Sequence, residues 1–425
     1  MAADAPVGRS TRLTAGDGVR RLTVFIVLNV VAIGVYAWVA IQMGFFSHLS
    51  DTLFWSPDSH TYRDVGHWLL GTAPYTLEST HRPFLYPLLL ALAEKVGGDP
   101  GIWIINLASW FGMLNLTAYA TLRMTGRLTV AAAVFLVLAT NASLIVLSLQ
   151  AITETVAAFL ESLWILGLAL SRLPPARTRE TAMLLLPISL RTVVKPEFEI
   201  HLVIALILLA ITIWRLPARR LVQAAAVAVC LIPVVFQVGL MANVNHRLAV
   251  SASGEDEFKL YYVSQVYATV NGLPDDLVAA RTVVGDWTNG HALAFLLDHP
   301  RTALTTVVSN LRRDLTSGSN FVDSVQAPRL YDTIQNTNRL YIRLHIVFLP
   351  IVLLAIWRRR DVRLLLLYLF AGVVILLSSL IVDQGDRYVA VALPVWATAY
   401  GLAIADLLPD LSHALVRLQA KPDAT

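Results

Sequence analysis

Asp58 stands in the stretch LFWSPDSHTYRDVGHW, just inside a helix whose start is written in the two residues before it. Ser56 can cap the free amides of a first turn, and Pro57 suits the first helical position. A carboxylate placed there either complements the positive end of the helix dipole or acts as a general base toward a bound hydroxyl. Cationic groups recur at three other places. His81 and Arg82 precede Pro83, Arg191 and Lys195 lie in SLRTVVKPEFEIH, and Arg387 is followed by Tyr388 in DQGDRYVAV. Guanidinium and ammonium groups are the usual readers of phosphate, although an arginine at an interface also serves as an anchor.

Three further carboxylates need a reason. Glu154 and Glu161 are seven residues apart in ITETVAAFLESLW and so share one helical face. Glu154 either caps its helix or meets a ligand, and Glu161, deeper in an apolar run, reads as a partner to a neighbouring helix or as a site residue. Glu197 belongs to a hairpin in which Arg191, Lys195, Glu197, Glu199 and His201 crowd into eleven positions. That hairpin is either part of a site or a turn neutralised within itself. Asp383 and Asp386 accompany Arg387 at the start of the last apolar run.

These residues must be positioned by apolar helices. The chain has 425 residues, 56% apolar and 15% charged, with mean hydropathy +0.63, against roughly 25% charged in soluble domains. Runs of roughly 20 uncharged residues are long enough to cross a bilayer. Spans are expected near 22–46, 101–122, 128–147, 152–170, 182–194, 198–214, 221–241, 344–357, 364–382 and 389–408, about ten by hydropathy. Residues 84–96 are apolar but too few to cross, and read as a re-entrant or juxtamembrane helix. With the N-terminus in the cytoplasm, Arg123, Arg127, Arg172, Arg177, Arg179, Arg215, Arg219, Arg220, Arg358, Arg359, Arg360 and Arg363 all fall on inside connections, as the positive-inside rule requires.

The expected organisation is a cytoplasmic tail at 1–21, one membrane domain at 22–408 and a cytoplasmic tail at 409–425. The outer face then receives a first loop at 47–83 and a long segment at 242–343, and every residue considered above for a site, except Glu161, falls on or beside that face. Leucines and valines at helical spacing around Pro300 predict amphipathic helices on the outer surface. The 33 basic residues sit in short clusters between apolar runs, so no nucleic-acid partner is expected. Cys230 is the single cysteine, which excludes an intramolecular disulfide. No His or Cys spacing marks a zinc site; no cofactor is expected, and a divalent metal finds no support. Only Lys95, Lys195, Lys259 and Lys421 are lysines, an arginine bias that points to a GC-rich bacterium and its inner, plasma membrane.

The order of these motifs resembles the GT-C superfamily of membrane glycosyltransferases, which includes protein O-mannosyltransferases, aminoarabinose transferases and mycobacterial arabinosyl and mannosyl transferases. The matching features are PDSHTY, GTAPY, RPFLYPLLLALAEKVGG, ITETVAAFLESLW, SLRTVVKPEF and DRYVAVALP. The resemblance implies an all-α polytopic GT-C-like fold and an inverting transfer of a hexose or pentose from a polyprenyl-phosphate donor. The acceptor would be a glycan, lipid or protein on the extracytoplasmic face. It places Asp58 at the catalytic centre, with His81, Arg82, Glu154, Arg191, Lys195, Glu197, Arg387 and Tyr388 toward the substrates. Asp58 is followed by Ser59 where many relatives carry a second carboxylate, and Lys195 stands before Pro196 where relatives often carry arginine. The competing readings are a transporter or flippase of lipid-linked sugars, which would favour paired repeats with a midplane site, and a polysaccharide polymerase or ligase.

Overall fold

Backbone amides in hydrocarbon must be satisfied within their own segment, and the regular structure of the described residues is helical. The computed structural model describes residues 15–76, 82–175, 177–215, 220–251, 258–273, 277–316, 321–322, 324–378, 380 and 387–419. Among them there is no strand. The all-α polytopic architecture expected from the sequence is the one found.

The first half comprises α1 (Ala15–Gln42), α2 (Leu49–Leu53), α3 (Pro57–Leu69), α4 (Leu85–Thr125), α5 (Leu128–Ala139), α6 (Ala142–Ser148), α7 (Glu154–Leu170) and α8 (Thr178–Thr192). A 3₁₀ turn at Pro196–Phe198 leads into α9 (Glu199–Trp214), followed by α10 (Arg220–Asn245). The outer segment holds a π-helical turn at Phe258–Val263, α11 (Ser264–Val270), α12 (Leu277–Gly285), α13 (Asn289–Asp298) and α14 (Pro300–Thr316). The chain then continues through α15 (Pro328–Arg359), α16 (Val362–Ser378), α17 (Arg387–Val391) and α18 (Leu393–Gln419).

Five of these helices are long and apolar enough to cross a membrane, or six if α5 and α6 count as one broken span. The ten spans expected from hydropathy include α7, α8 and α16, which have only 17, 15 and 17 residues. At 1.5 Å per residue these reach about 22–26 Å, short of a hydrocarbon core of about 30 Å. α7 is buried on nearly every side, so its apolar character serves the protein core rather than lipid. Hydropathy cannot separate the two.

Other boundaries also differ from expectation. The run 128–147 is not one span: α5 and α6 meet at 59°, where Asn141 caps α6 by accepting from the Leu144 amide at 2.8 Å. The run 344–357 is the end of a helix that already starts at Pro328. The expected span 389–408 is split between α17 and α18, and the expected tail from 409 is helical as far as Gln419. The half-helix at 84–96 is a distinct limb, because α4 breaks at Gly98 with φ 63°. An added Cβ on Gly101 would lie 2.3 Å from the Ala93 carbonyl. Eight residues of straight helix would separate those two by about 12 Å, so the limb folds back sharply.

The amphipathic helices expected around Pro300 are α13 and α14. With the π-helical turn, α11 and α12 they enclose a small apolar core of Tyr262, Val263, Val266, Val284 and Ala292. The main core fills the bundle around Trp110, Tyr86, Phe135, Phe198 and Phe370.

Candidate active site

Ser56 does cap α3: its hydroxyl accepts from the Asp58 amide at 3.3 Å, with Pro57 at the first helical position. α3 is pressed onto the first limb of α4 at Gly66, where a Cβ would fall 2.4 Å from the Pro87 carbonyl. Arg63 and His67 on α3 both reach Glu94 of that limb, His67 at 2.8 Å. Two buried aromatic residues, Tyr62 and Tyr86, meet edge-to-face across the same contact. The first turn of α3, and Asp58 with it, is thereby held against the bundle.

The approach to α7 is fixed as firmly. Residues 149–153 are fully buried. Asn106 donates to the Gln150 carbonyl at 2.6 Å, and the Ala151 amide donates to the Leu53 carbonyl at 2.8 Å. This sets Glu154, the first residue of α7, beneath the first loop.

A chain of alternating charges results. Arg82 donates to Asp58 Oδ1 at 2.5 Å, and Arg387 donates through Nη1 to Asp58 Oδ2 at 2.7 Å. Arg387 Nε also donates to Glu154 Oε1, which accepts from Lys195 Nζ at 2.7 Å. Lys195 lies 3.9 Å from Glu197. Three cations and three carboxylates thus alternate from the first loop, through α7, to the 195–197 turn and the start of α17. Both ends of the chain are partly exposed, Asp58 and Arg82 at 25% and 21% and Glu197 at 20%, while Arg387, Lys195 and Glu154 between them are 6% or less. The network is open at both ends, and the carboxylate held by two guanidinium groups, Asp58, lies at the first-loop end.

Burial by itself would push the Asp58 carboxyl up, but Arg387 and Arg82 outweigh it, with help from Lys195, and bring it down from 3.8 to about 2. Asp58 is ionised at every physiological pH, and while both guanidinium groups hold it, it is a weak base.

Of the residues singled out in the sequence, Asp58, Arg82, Glu154, Lys195, Glu197 and Arg387 come together. Arg191 does not join them. It pairs with Glu161 at 2.7 Å, with side chains 4% and 0% exposed, and its guanidinium carbon lies 3.4 Å from the centre of the Phe198 ring. His201 stacks on Phe370 and meets its carbonyl through Nε2 at 3.0 Å, which leaves Nδ1 facing Arg191 at 3.5 Å. The hairpin is therefore not neutralised within itself, since its two cations find their close partners on α7. His81, Asp383 and Asp386 lie outside the described residues, as does the side chain of Tyr388, whose backbone belongs to α17.

Sequence reading missed three neighbours. Tyr62, one turn after Asp58, puts its ring 4.8 Å under the Arg82 guanidinium, and its hydroxyl is 3.5 Å from Thr153. The Thr153 hydroxyl donates to Glu154 Oε2 at 3.4 Å. Phe321 supports Arg387 at 5.4 Å. The i,i+4 spacing from Asp58 could have flagged Tyr62, whereas no local pattern marks Phe321. Among the described residues no group of three or more His, Cys, Asp or Glu side chains is arranged to hold a metal ion.

No protein-family model and no curated protein matches the chain. Two solved structures are similar in fold. One is ArnT from Cupriavidus metallidurans bound to undecaprenyl phosphate, aligned over 93% of this chain and 62% of that one at 14% identity and TM-score 0.44. The other is the same protein in the apo state, over 89% and 61% at 13% identity and TM-score 0.41. This chain thus spans a little under two thirds of the ArnT length.

Proposed function

We propose that this multi-pass membrane protein is a glycosyltransferase that moves a sugar from a polyprenyl-phosphate carrier to an acceptor at the extracytoplasmic face. The observation that carries the reading is the charge chain Arg82–Asp58–Arg387–Glu154–Lys195–Glu197, in which the carboxylate held by two guanidinium groups, Asp58, is partly exposed at the first-loop end. Support for the side comes from α7. Its first residue, Glu154, belongs to the network, while just past its far end the Ser171 carbonyl accepts from Arg363 of an arginine-rich connection. Sixteen helical steps separate Glu154 from Leu170, about 24 Å.

In this reading the acceptor hydroxyl oxygen attacks the anomeric carbon as the bond from that carbon to the phosphate oxygen breaks. The leaving electron pair stays on the phosphate, and the hydroxyl proton passes to an Asp58 oxygen. One direct displacement inverts the anomeric centre. Arg82 and Arg387, with Lys195 behind them, offset the charge that develops on the departing phosphate. A phosphate drawing the two guanidinium groups toward itself also weakens their hold on Asp58, and this raises the basicity of that carboxylate when a donor is bound. Arg191, paired with Glu161 and covered by Phe198, serves in this reading to hold the hairpin that presents Lys195.

The test is Asp58→Asn in purified protein with a polyprenyl-phosphate sugar. Sugar transfer is expected to be lost while the protein stays monodisperse; full turnover by the variant removes Asp58 from the mechanism. Movement of labelled lipid across proteoliposomes with no new glycosidic bond would replace the whole reading with transport.

A further inference from the structure

A cavity of about 260 Å³ adjoins the network and takes no part in the chemistry above. Gln42, His48, Asp51, Trp55, Phe321 and Gln326 line it. It touches the charge chain through Phe321, the ring beneath Arg387. Trp55 stands three residues before Asp58, so their Cα atoms are at most about 11 Å apart, and Ser56 between them is the α3 cap. The cavity is thus built on the same loop that carries Asp58.

The lining identifies the kind of occupant. Among the described residues no lysine or arginine contributes to it, so its lining does not suit phosphate, which the reading above gives to the neighbouring cations. A carboxylate, two amides and an imidazole make it too polar for a lipid tail. Trp55 is 47% exposed between the buried Phe54 and Ser56, and the side chains of His48 and Asp51, 3.7 Å apart, are 69% and 84% exposed. Flat aromatic faces beside planar groups that both donate and accept suit a ring with carbon–hydrogen faces and vicinal hydroxyls. The volume lies just below the roughly 300–1,000 Å³ of sites for drug-sized ligands, which is room for a single ring.

We propose that this cavity is a sugar subsite. One pyranose or furanose ring lies there with Trp55 and Phe321 against its carbon faces and Asp51, Gln42 and Gln326 on its hydroxyls. The assignment rests on the glycosyl-transfer reading and sharpens it. The ring is the terminal sugar of a glycan acceptor or the sugar of the donor, and the kinetic arm of the test separates these.

The first arm reads binding without turnover. Full-length protein in nanodiscs is probed by saturation-transfer NMR with the methyl glycosides of glucose, mannose, galactose and arabinose. At least one is expected to bind, with affinity about tenfold or more weaker in Trp55→Ala, several-fold weaker in Asp51→Asn and largely kept in Trp55→Phe. If Trp55→Ala does not fold, Gln42→Ala and Asp51→Asn carry the same comparison. Absence of binding by all four glycosides, or binding that these variants leave unchanged, overturns the subsite. The second arm measures transfer: a raised acceptor KM in Trp55→Ala assigns the ring to the acceptor, a raised donor KM assigns it to the donor, and unchanged values for both overturn the proposal. Glycoside binding in a protein that transfers no sugar would sink the glycosyltransferase reading and leave the subsite standing.

Discussion

Two sets of ionised groups meet α7, and they are built in opposite ways. At the first residue of the helix, Glu154 is one link in a chain of six alternating charges that includes an accessible carboxylate, Asp58, beside its Arg82 end. Two turns further in, Glu161 and Arg191 form a sealed pair. There Glu161 Oε2 and Arg191 Nε and Nη2 make no hydrogen bond. A site that must exchange partners with a ligand needs the first design, because the buried cations Arg387 and Lys195 each already have a second anion and releasing one does not strand a buried charge. The second design does not permit exchange, since removing either member leaves its partner uncompensated in a low dielectric. The same residue types thus yield a reactive surface in one place and a structural clamp in the other.

If this contrast is right, Asp58→Asn has the largest effect on chemistry, a fall in kcat of roughly 10²–10⁴, with a loss of stability smaller than that of Arg191→Met. Arg191→Met does the reverse. It strands Glu161 and costs about 3–5 kcal/mol of stability, read by thermal unfolding in detergent, and a combined Glu161→Leu, Arg191→Met protein recovers most of the loss. Equal effects of Asp58→Asn and Arg191→Met on stability would erase the distinction. Gly66→Ala sits between them: the added methyl meets the Pro87 carbonyl, tilts α3 and costs about 1–3 kcal/mol, with turnover falling because the first turn carrying Asp58 moves. Retention of both stability and rate would show that the α3–α4 contact does not position Asp58.

The smallest effect is in pH. The Asp58 carboxyl is held at about 2, below its ordinary 3.8, so its contribution to stability is present above about pH 4 and is lost as pH falls toward 2. The wild type is expected to lose more stability than Asp58→Asn across that window. In kcat/KM, which reports the free enzyme, Asp58 contributes no acid limb above about pH 4.

Local signals were legible where the physics is local. Ser56 and Pro57 marked the start of α3, and the apolar spacing around Pro300 marked α13 and α14. The shortness of the 84–96 run separated it from the span beyond Gly98. The bend between α5 and α6 was missed because a hydropathy window averages across Asn141. The overlong α15 was missed because its first half, from Pro328, is polar. Six of the singled-out residues came together, but the sequence could not say which cation pairs with which carboxylate. Arg387 meets Asp58 across 329 positions and Glu154 across 233, and Arg191 chose Glu161 across 30 rather than its hairpin neighbours.

Composition and periodicity by themselves determined that lipid is the main solvent, that the backbone is helical, and that ionisable residues in so apolar a chain need partners or a wet cavity. These follow from the cost of leaving a polar group unsatisfied in hydrocarbon, a cost each residue meets wherever it stands. Which carboxylate stays open and which is sealed was decided by helix packing alone. Accessibility and ion pairing depend on what lies across a contact, and the break at Gly98, the close approach at Gly66 and the burial of residues 149–153 bring those surfaces together.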